Sequence, residues 1–143
     1  MIRRMRWWDI EPVVALERAL FEDAWSPELF WDELAQGDSR TYVVAEEDGE
    51  VVAYAGLAEM PDEAYVQTIG VARAHQRRGL GATLLTTLLD DARRRGAPRV
   101  GLEVRIDNEP AIRMYERFGF EAIAVRKRYY QPSGTDALVM VTA

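Results

Sequence analysis

The sequence predicts an α/β (α+β) fold: a single mixed sheet of six to seven strands with about four flanking helices. Three observations lead there. Alternating, β-branched segments come first and are joined by the hairpin signal Asp48-Gly49. Strand and helix patterns then alternate, which calls for parallel crossovers within a sheet that began antiparallel. A glycine-bearing turn, Gln76 to Ala82, joins one of those strands to a long helix. At 143 residues the chain is expected to form one domain, 1–143, with a sizeable core.

Residues 1–7 read as a first strand. Asp9 is placed to cap a helix running to about Phe21, with Val13, Leu16 and Leu20 on one face. Ser26 followed by Pro27 starts a short helix through Leu34. Residues 41–46 and Glu50 to Glu59 are the two hairpin strands, and Ala64 to Val71 is a third β-type run. Leu80, Leu84, Leu85, Leu88, Leu89 and Ala92 have helical spacing, in a pattern reaching Arg95 that Gly96 and Pro98 close. Val100 to Arg105 alternates strictly, with Leu102 and Val104 opposed to Glu103 and Arg105. Asn108 caps a helix from Glu109 to Arg117, and Gly119 ends it. Strands over 120–125 and 136–142 complete the order, on either side of a loop at 131–135.

Composition narrows the function. Hydrophobic residues make up 48% and charged residues 29%, an ordinary soluble balance. No apolar run approaches the roughly 20 residues of a membrane span, and the first residues have charge but no apolar secretory core. A cytoplasmic protein without membrane partners is expected. The net charge of −6 argues against direct nucleic-acid binding. The chain has no cysteine and one histidine, His75, so neither a thiol nucleophile nor a zinc site is expected, and no metal is called for. Its serines, Ser26, Ser39 and Ser133, lie outside any Gly-x-Ser-x-Gly setting. The acids Glu46, Glu47, Asp48, Glu50, Glu59, Asp62 and Glu63 are either solvated loop charge or a surface that draws in a basic substrate.

Gln76-Arg77-Arg78-Gly79-Leu80-Gly81-Ala82 is an anion-pocket pattern. Glycines let main chain approach a phosphate, and the following helix offers free N–H groups and the positive end of its dipole. A Walker A loop would need lysine and a hydroxyl after Gly81, and the chain's one lysine is Lys127. A dinucleotide fingerprint would need a small residue where Leu84 stands. The coenzyme A pyrophosphate loop, Gln/Arg-x-x-Gly-x-Gly/Ala, matches. Taken alone, the stretch is also compatible with an arginine-bearing helix start that holds no ligand.

Further along, Ile69-Gly70-Val71, the Gln76 loop, Leu102-Glu103-Val104-Arg105, Asn108 and Tyr115-Glu116-Arg117-Phe118-Gly119-Phe120 occur in an order that resembles the GNAT superfamily of N-acetyltransferases across nearly the whole chain. Ala24-Trp25-Ser26 and Arg126-Lys127-Arg128-Tyr129-Tyr130 resemble its bacterial RimI group. Arg128 stands where that group's pattern has asparagine, and Pro27 where it has an acid. The resemblance implies acetyl-CoA as cosubstrate. The pantetheine arm would lie on the main chain of Ile69, Gly70 and Val71, whose N–H groups would also meet the thioester oxygen. The diphosphate would sit on Gln76, Arg77, Arg78, Gly79, Leu80, Gly81 and Ala82, with Asn108 bonding the coenzyme or capping its helix. It also implies an acceptor, the N-terminal alanine of ribosomal small-subunit protein eighteen, met as the N-terminal segment of that protein by a monomer or weak dimer.

Glu103 is the expected general base, acting through a water. An α-amino group, with a reference pKa of roughly 7.7–8, is a modest demand on a carboxylate. Position alone also allows Glu103 to be charge on a solvated sheet face. Tyr115 is the expected general acid for the departing thiolate, or else a core aromatic spaced with Ile112 and Phe118. Tyr129, Tyr130 and Trp25 either flank the peptide entrance or pack at a strand end. Transfer is expected to be direct, without a covalent enzyme intermediate. Lysine, other N-termini or a small amine as acceptor, and a non-catalytic acyl-CoA-binding module, are the competing readings.

Overall fold

The computed structural model describes residues 1–142. Seven strands form one sheet: β1 (Ile2–Arg4), β2 (Arg40–Glu47), β3 (Glu50–Glu59), β4 (Ala64–Val71), β5 (Val100–Arg105), β6 (Glu121–Arg126) and β7 (Ala137–Thr142), in the order β1-β2-β3-β4-β5-β7-β6. Only β4 and β5 run parallel; the other neighbours are antiparallel. The β2–β3 turn puts Asp48 and Gly49 at φ 52° and 80°, the left-handed pair that a two-residue hairpin favours.

Four α-helices flank the sheet: α1 (Ile10–Leu20), α2 (Pro27–Leu34), α3 (Leu80–Arg94) and α4 (Glu109–Arg117). Helices α1 and α2 bury Ile10, Val13, Val14 and Phe30 on one face against Tyr42, Val44 and Tyr54. On the other face α3 buries Leu84, Leu85, Leu88 and Ala92 against Val43, Ala53, Ala55, Leu57 and Val66, and α4 adds Tyr115. Alternation along each strand assigns the faces. Ser26 Oγ accepts from Leu29 N and Asn108 Oδ1 from Ala111 N, each at 3.3 Å, so both act as helix caps.

The N-terminus departs from expectation. The first strand ends at Arg4, and Trp7–Asp9 form a 3-10 turn. The Asp9 side chain does not cap α1. It is buried, accepting from Arg3 Nη1 and Nη2 at 2.8 and 2.9 Å and from Arg6 N at 2.7 Å. A bidentate arginine outcompetes one helix N–H. The last two strands begin at Glu121 and Ala137, one residue later than expected.

One irregularity positions the site. Gly56 pairs with Thr68 but Leu57 with Val66, leaving Gln67 as an extra residue in β4. Gln67 reaches Tyr42 and Thr68 reaches Glu17, so two consecutive side chains share the α1 face. The bulge bends β4. Parallel pairing with β5 stops at Val66 and Leu102, and the strands diverge beyond it.

Candidate active site

The divergence of β4 and β5 opens a cleft through the sheet. Val66, Thr68 and Ile69 line one wall and Leu102 to Arg105 the other. Tyr115 of α4 lines it from one face, and Glu17, Trp25 and Tyr130 from the other. The edge of β4 facing the opening has no ladder partner beyond Val66, so it can take an extended ligand as a further strand.

On the α3 side the cleft leads into a groove of about 770 Å³, within the roughly 300–1,000 Å³ of small-molecule sites. Ile69, Gly70, Val71, Gln76, Arg77, Gly79, Leu80, Gly81, Ala82 and Asn108 line it. Arg78 is exposed and lies outside the lining. Arg77 and Gly79 have φ 67° and 80°, a local path that curls the chain into a nest. The first helical bond at this junction runs from Thr83 N to Gly79 O at 2.9 Å, and Gly79 brings no side-chain cap, so the N–H groups of Leu80, Gly81 and Ala82 are free for an anion. Gln76 Nε2 closes the loop by donating to Val71 O at 2.9 Å. Arg73, Arg77 and Arg117 also line the groove, and among the described residues none has a carboxylate partner. A Cβ at Gly79 would meet no atom, so this glycine serves φ and leaves the space above it open. Gly70 is different: a Cβ there would strike the Tyr54 ring. The residues present fit a diphosphate and the extended arm joined to it.

Glu103 points away from Leu102 and Val104, toward the α1 face, and its side chain is 8% exposed. Arg126 Nη1 donates to its Oε2 at 3.0 Å, and the Arg126 guanidinium lies 4.4 Å from the Tyr129 ring centroid. Tyr115 enters from the opposite face with its ring edge-on to Phe120, centroids 5.7 Å apart. Burial pushes its phenol up to about 12. Among the described residues nothing hydrogen-bonds that hydroxyl. Tyr115 is thus a core aromatic and a cleft residue at once.

The α1–α2 loop and the β6–β7 loop meet over the Glu103 side. Asp23 accepts from Arg105 Nη1 at 2.6 Å, from Ser133 Oγ at 2.6 Å and from Ser133 N at 2.9 Å. Burial opposes its charge, but the Ser133 bonds and Arg105 outweigh that and hold the carboxyl below its usual range. This clasp seats Tyr130 in the cleft wall across from Trp25, with the Arg105 guanidinium 5.9 Å from the Tyr130 ring centroid. Tyr129 packs edge-on against Tyr130 and stands behind the lining.

Sequence reading missed Glu17, Asp23, Gln67, Arg73, Arg105 and Arg117 as site residues. Arg105 and Arg117 stood within motifs already singled out, Asp23 and Arg73 stood beside them, and Glu17 has helical spacing with Val13 and Leu20; Gln67 carries no local signal. The acidic clusters do not line the cleft. Glu46 pairs with Arg3, Glu59 with Arg95 and Glu63 with Arg99, while Glu47 stands 3.6 Å from His75 Nε2. His75 borders the groove, and its Nδ1 is buried without a partner.

The family model described as the acetyltransferase (GNAT) family matches residues 10–120. The chain is 43% identical to the N-alpha-acetyltransferase RimI of Mycobacterium tuberculosis, over 92% of this chain and 85% of that protein. Among solved structures it is similar to the ribosomal-protein-S18-alanine N-acetyltransferase of Escherichia coli. The TM-score is 0.88 and the identity 31%, over 99% of this chain and 92% of that one. It is also similar to YncA of Salmonella typhimurium, solved with its cofactor acetyl-CoA, at TM-score 0.81 and 25% identity over 99% and 91% of the two chains.

Proposed function

From the premise that the chain belongs to the GNAT acetyltransferase family and is an N-acetyltransferase, we propose that it moves the acetyl group of acetyl-CoA to the N-terminal alanine of ribosomal protein S18 in the cytoplasm. The observation that carries this reading is the through-sheet cleft. It joins a groove built to take an anion, on the α3 face, to a small pocket holding Glu103 on the α1 face. Similarity to the Escherichia coli S18-alanine enzyme supports the acceptor, and similarity to YncA supports the cosubstrate.

Acetyl-CoA supplies the activated acetyl group, whose C–S bond breaks as the C–N bond forms. Glu103 takes the proton of the attacking amine through a water, and Arg126 steadies its carboxylate. Tyr115 keeps its own proton at neutral pH and gives it to the departing sulfur. The unpaired edge of β4 offers main-chain N–H groups to the oxygen on which charge develops. The nest at Arg77 and Gly79, with Arg73 and Arg117, holds the diphosphate, and Asn108 borders the arm.

The test offers acetyl-CoA with an Ala-initiated S18 peptide, its N-terminally blocked twin and a panel of small amines. Product is expected on the free α-amine alone. Acetylation of the blocked twin at an internal lysine would move the acceptor assignment to lysine. Tight binding of CoA without turnover would overturn the catalytic reading.

A further inference from the structure

Glu17 has no part in the chemistry assigned to Glu103 and Tyr115, yet it lines the same cleft. It is 2% exposed. Its Oε1 accepts from Tyr54 Oη at 2.5 Å and from Thr68 Oγ1 at 3.3 Å, and its Oε2 accepts from Trp25 N at 2.8 Å. All three donors are neutral. Glu17 makes no ion pair among the described residues. The neighbouring carboxylates do: Glu103 has Arg126, and Asp23 has Arg105.

A carboxylate taken out of water is costly unless a cation meets it. Three neutral donors leave part of its acceptor capacity unused. The group is also fixed in place. The Tyr54 ring lies where a Cβ of Gly70 would be, so its hydroxyl is held toward α1, and the Trp25 amide pins the other oxygen. A rigid anion without a counter-ion, set in a cleft on the face from which the acceptor enters, is suited to a cationic ligand.

We propose that Glu17 is the docking site for the protonated amine of the acceptor. The ammonium rests against this carboxylate in the space lined by Thr68 and Glu103, and Glu103 then removes its proton. One carboxylate attracts the charge and the other performs the proton transfer. The inference rests on the acceptor reading given above, since it requires an amine that arrives charged.

The experiment is calorimetry on protein saturated with CoA, titrated with an Ala-initiated peptide and with its des-amino analogue, which lacks only the α-amine. The wild type is expected to prefer the amine at least tenfold. Glu17→Gln is expected to bring the ratio near one, Glu17→Asp to restore most of it, and Glu103→Gln to lower it less than Glu17→Gln does. A preference that survives Glu17→Gln overturns the proposal. Binding of CoA reports the fold of each variant. If Glu17→Gln fails that check, the wild-type ratio decides, and equal affinity for the two peptides overturns the proposal. A wild type that discriminates but transfers no acetyl group would remove the acceptor assignment and leave the ammonium site standing.

Discussion

Glu103 and Tyr115 reach one cleft from opposite faces of the sheet. Alternation along β5 turns Glu103 toward the α1 face, and α4 brings Tyr115 up through the core on the other. Placing the proposed base and the proposed acid on opposite faces follows from strand parity and from the early end of the β4–β5 ladder.

Glu103→Gln should lower kcat about 10²- to 10³-fold, within the usual range for loss of a general base. It should leave the KM for acetyl-CoA nearly unchanged, because Glu103 lies outside the cofactor groove. Steady-state kinetics with each substrate varied in turn checks this. A wild-type kcat would remove Glu103 from the mechanism.

Tyr115→Phe should lower kcat by about 10- to 100-fold at every pH between about 6 and 10. Burial pushes the phenol up to about 12, so it stays protonated throughout that window and contributes no alkaline limb. Profiles of kcat against pH should therefore differ in height and not in shape. An alkaline limb near pH 10 that vanishes in the variant would contradict this.

Gly79 and Gly81 should respond differently to alanine. Gly79 has φ 80°, and a side chain there strains the loop by about 1–2 kcal/mol. Acetyl-CoA affinity should fall roughly tenfold or more. Gly81 lies inside α3, and its Cβ would meet Met114 Sδ at 3.4 Å, an ordinary contact. Gly81→Ala should keep the melting temperature and most of the affinity. Calorimetry and thermal melts on both variants decide.

Much of this was legible in local pattern. The spacing of Leu84, Leu85, Leu88 and Ala92 set the face of α3, and the alternation of Leu102 and Val104 with Glu103 and Arg105 set the face of Glu103. Gly79 marked the nest because its φ has a sequence signature. What the pattern could not carry was parity after Gln67, since one extra residue in β4 turns Thr68 toward Glu17 with no compositional mark. Glu17 has helical spacing with Val13 and Leu20, but its role depends on partners 37 and 51 positions away. Asp9 was misjudged for the same reason: helix capping is a local rule, and Arg3, brought alongside by the fold, outweighs it.

Asp9 also gives a pH test. The Arg3 bonds, with the Arg6 amide, overcome burial and hold its carboxyl below the usual range. A depressed carboxyl contributes stability that is complete above the unfolded value of about 3.9 and is lost as pH falls through the folded value. Asp9→Asn should cost about 1–3 kcal/mol at pH 7, and the deficit should shrink below pH about 4. Thermal melts of both proteins from pH 7 to 3 measure it. A deficit that grows on acidification would contradict the assignment.

The most direct test of a cleft that unites both substrates is the initial-velocity pattern, with acetyl-CoA and the Ala-initiated peptide varied together. Direct transfer predicts intersecting double-reciprocal lines and no acetyl group on the protein when acetyl-CoA is supplied alone. Parallel lines, with acetylated protein recovered in the absence of peptide, would contradict it.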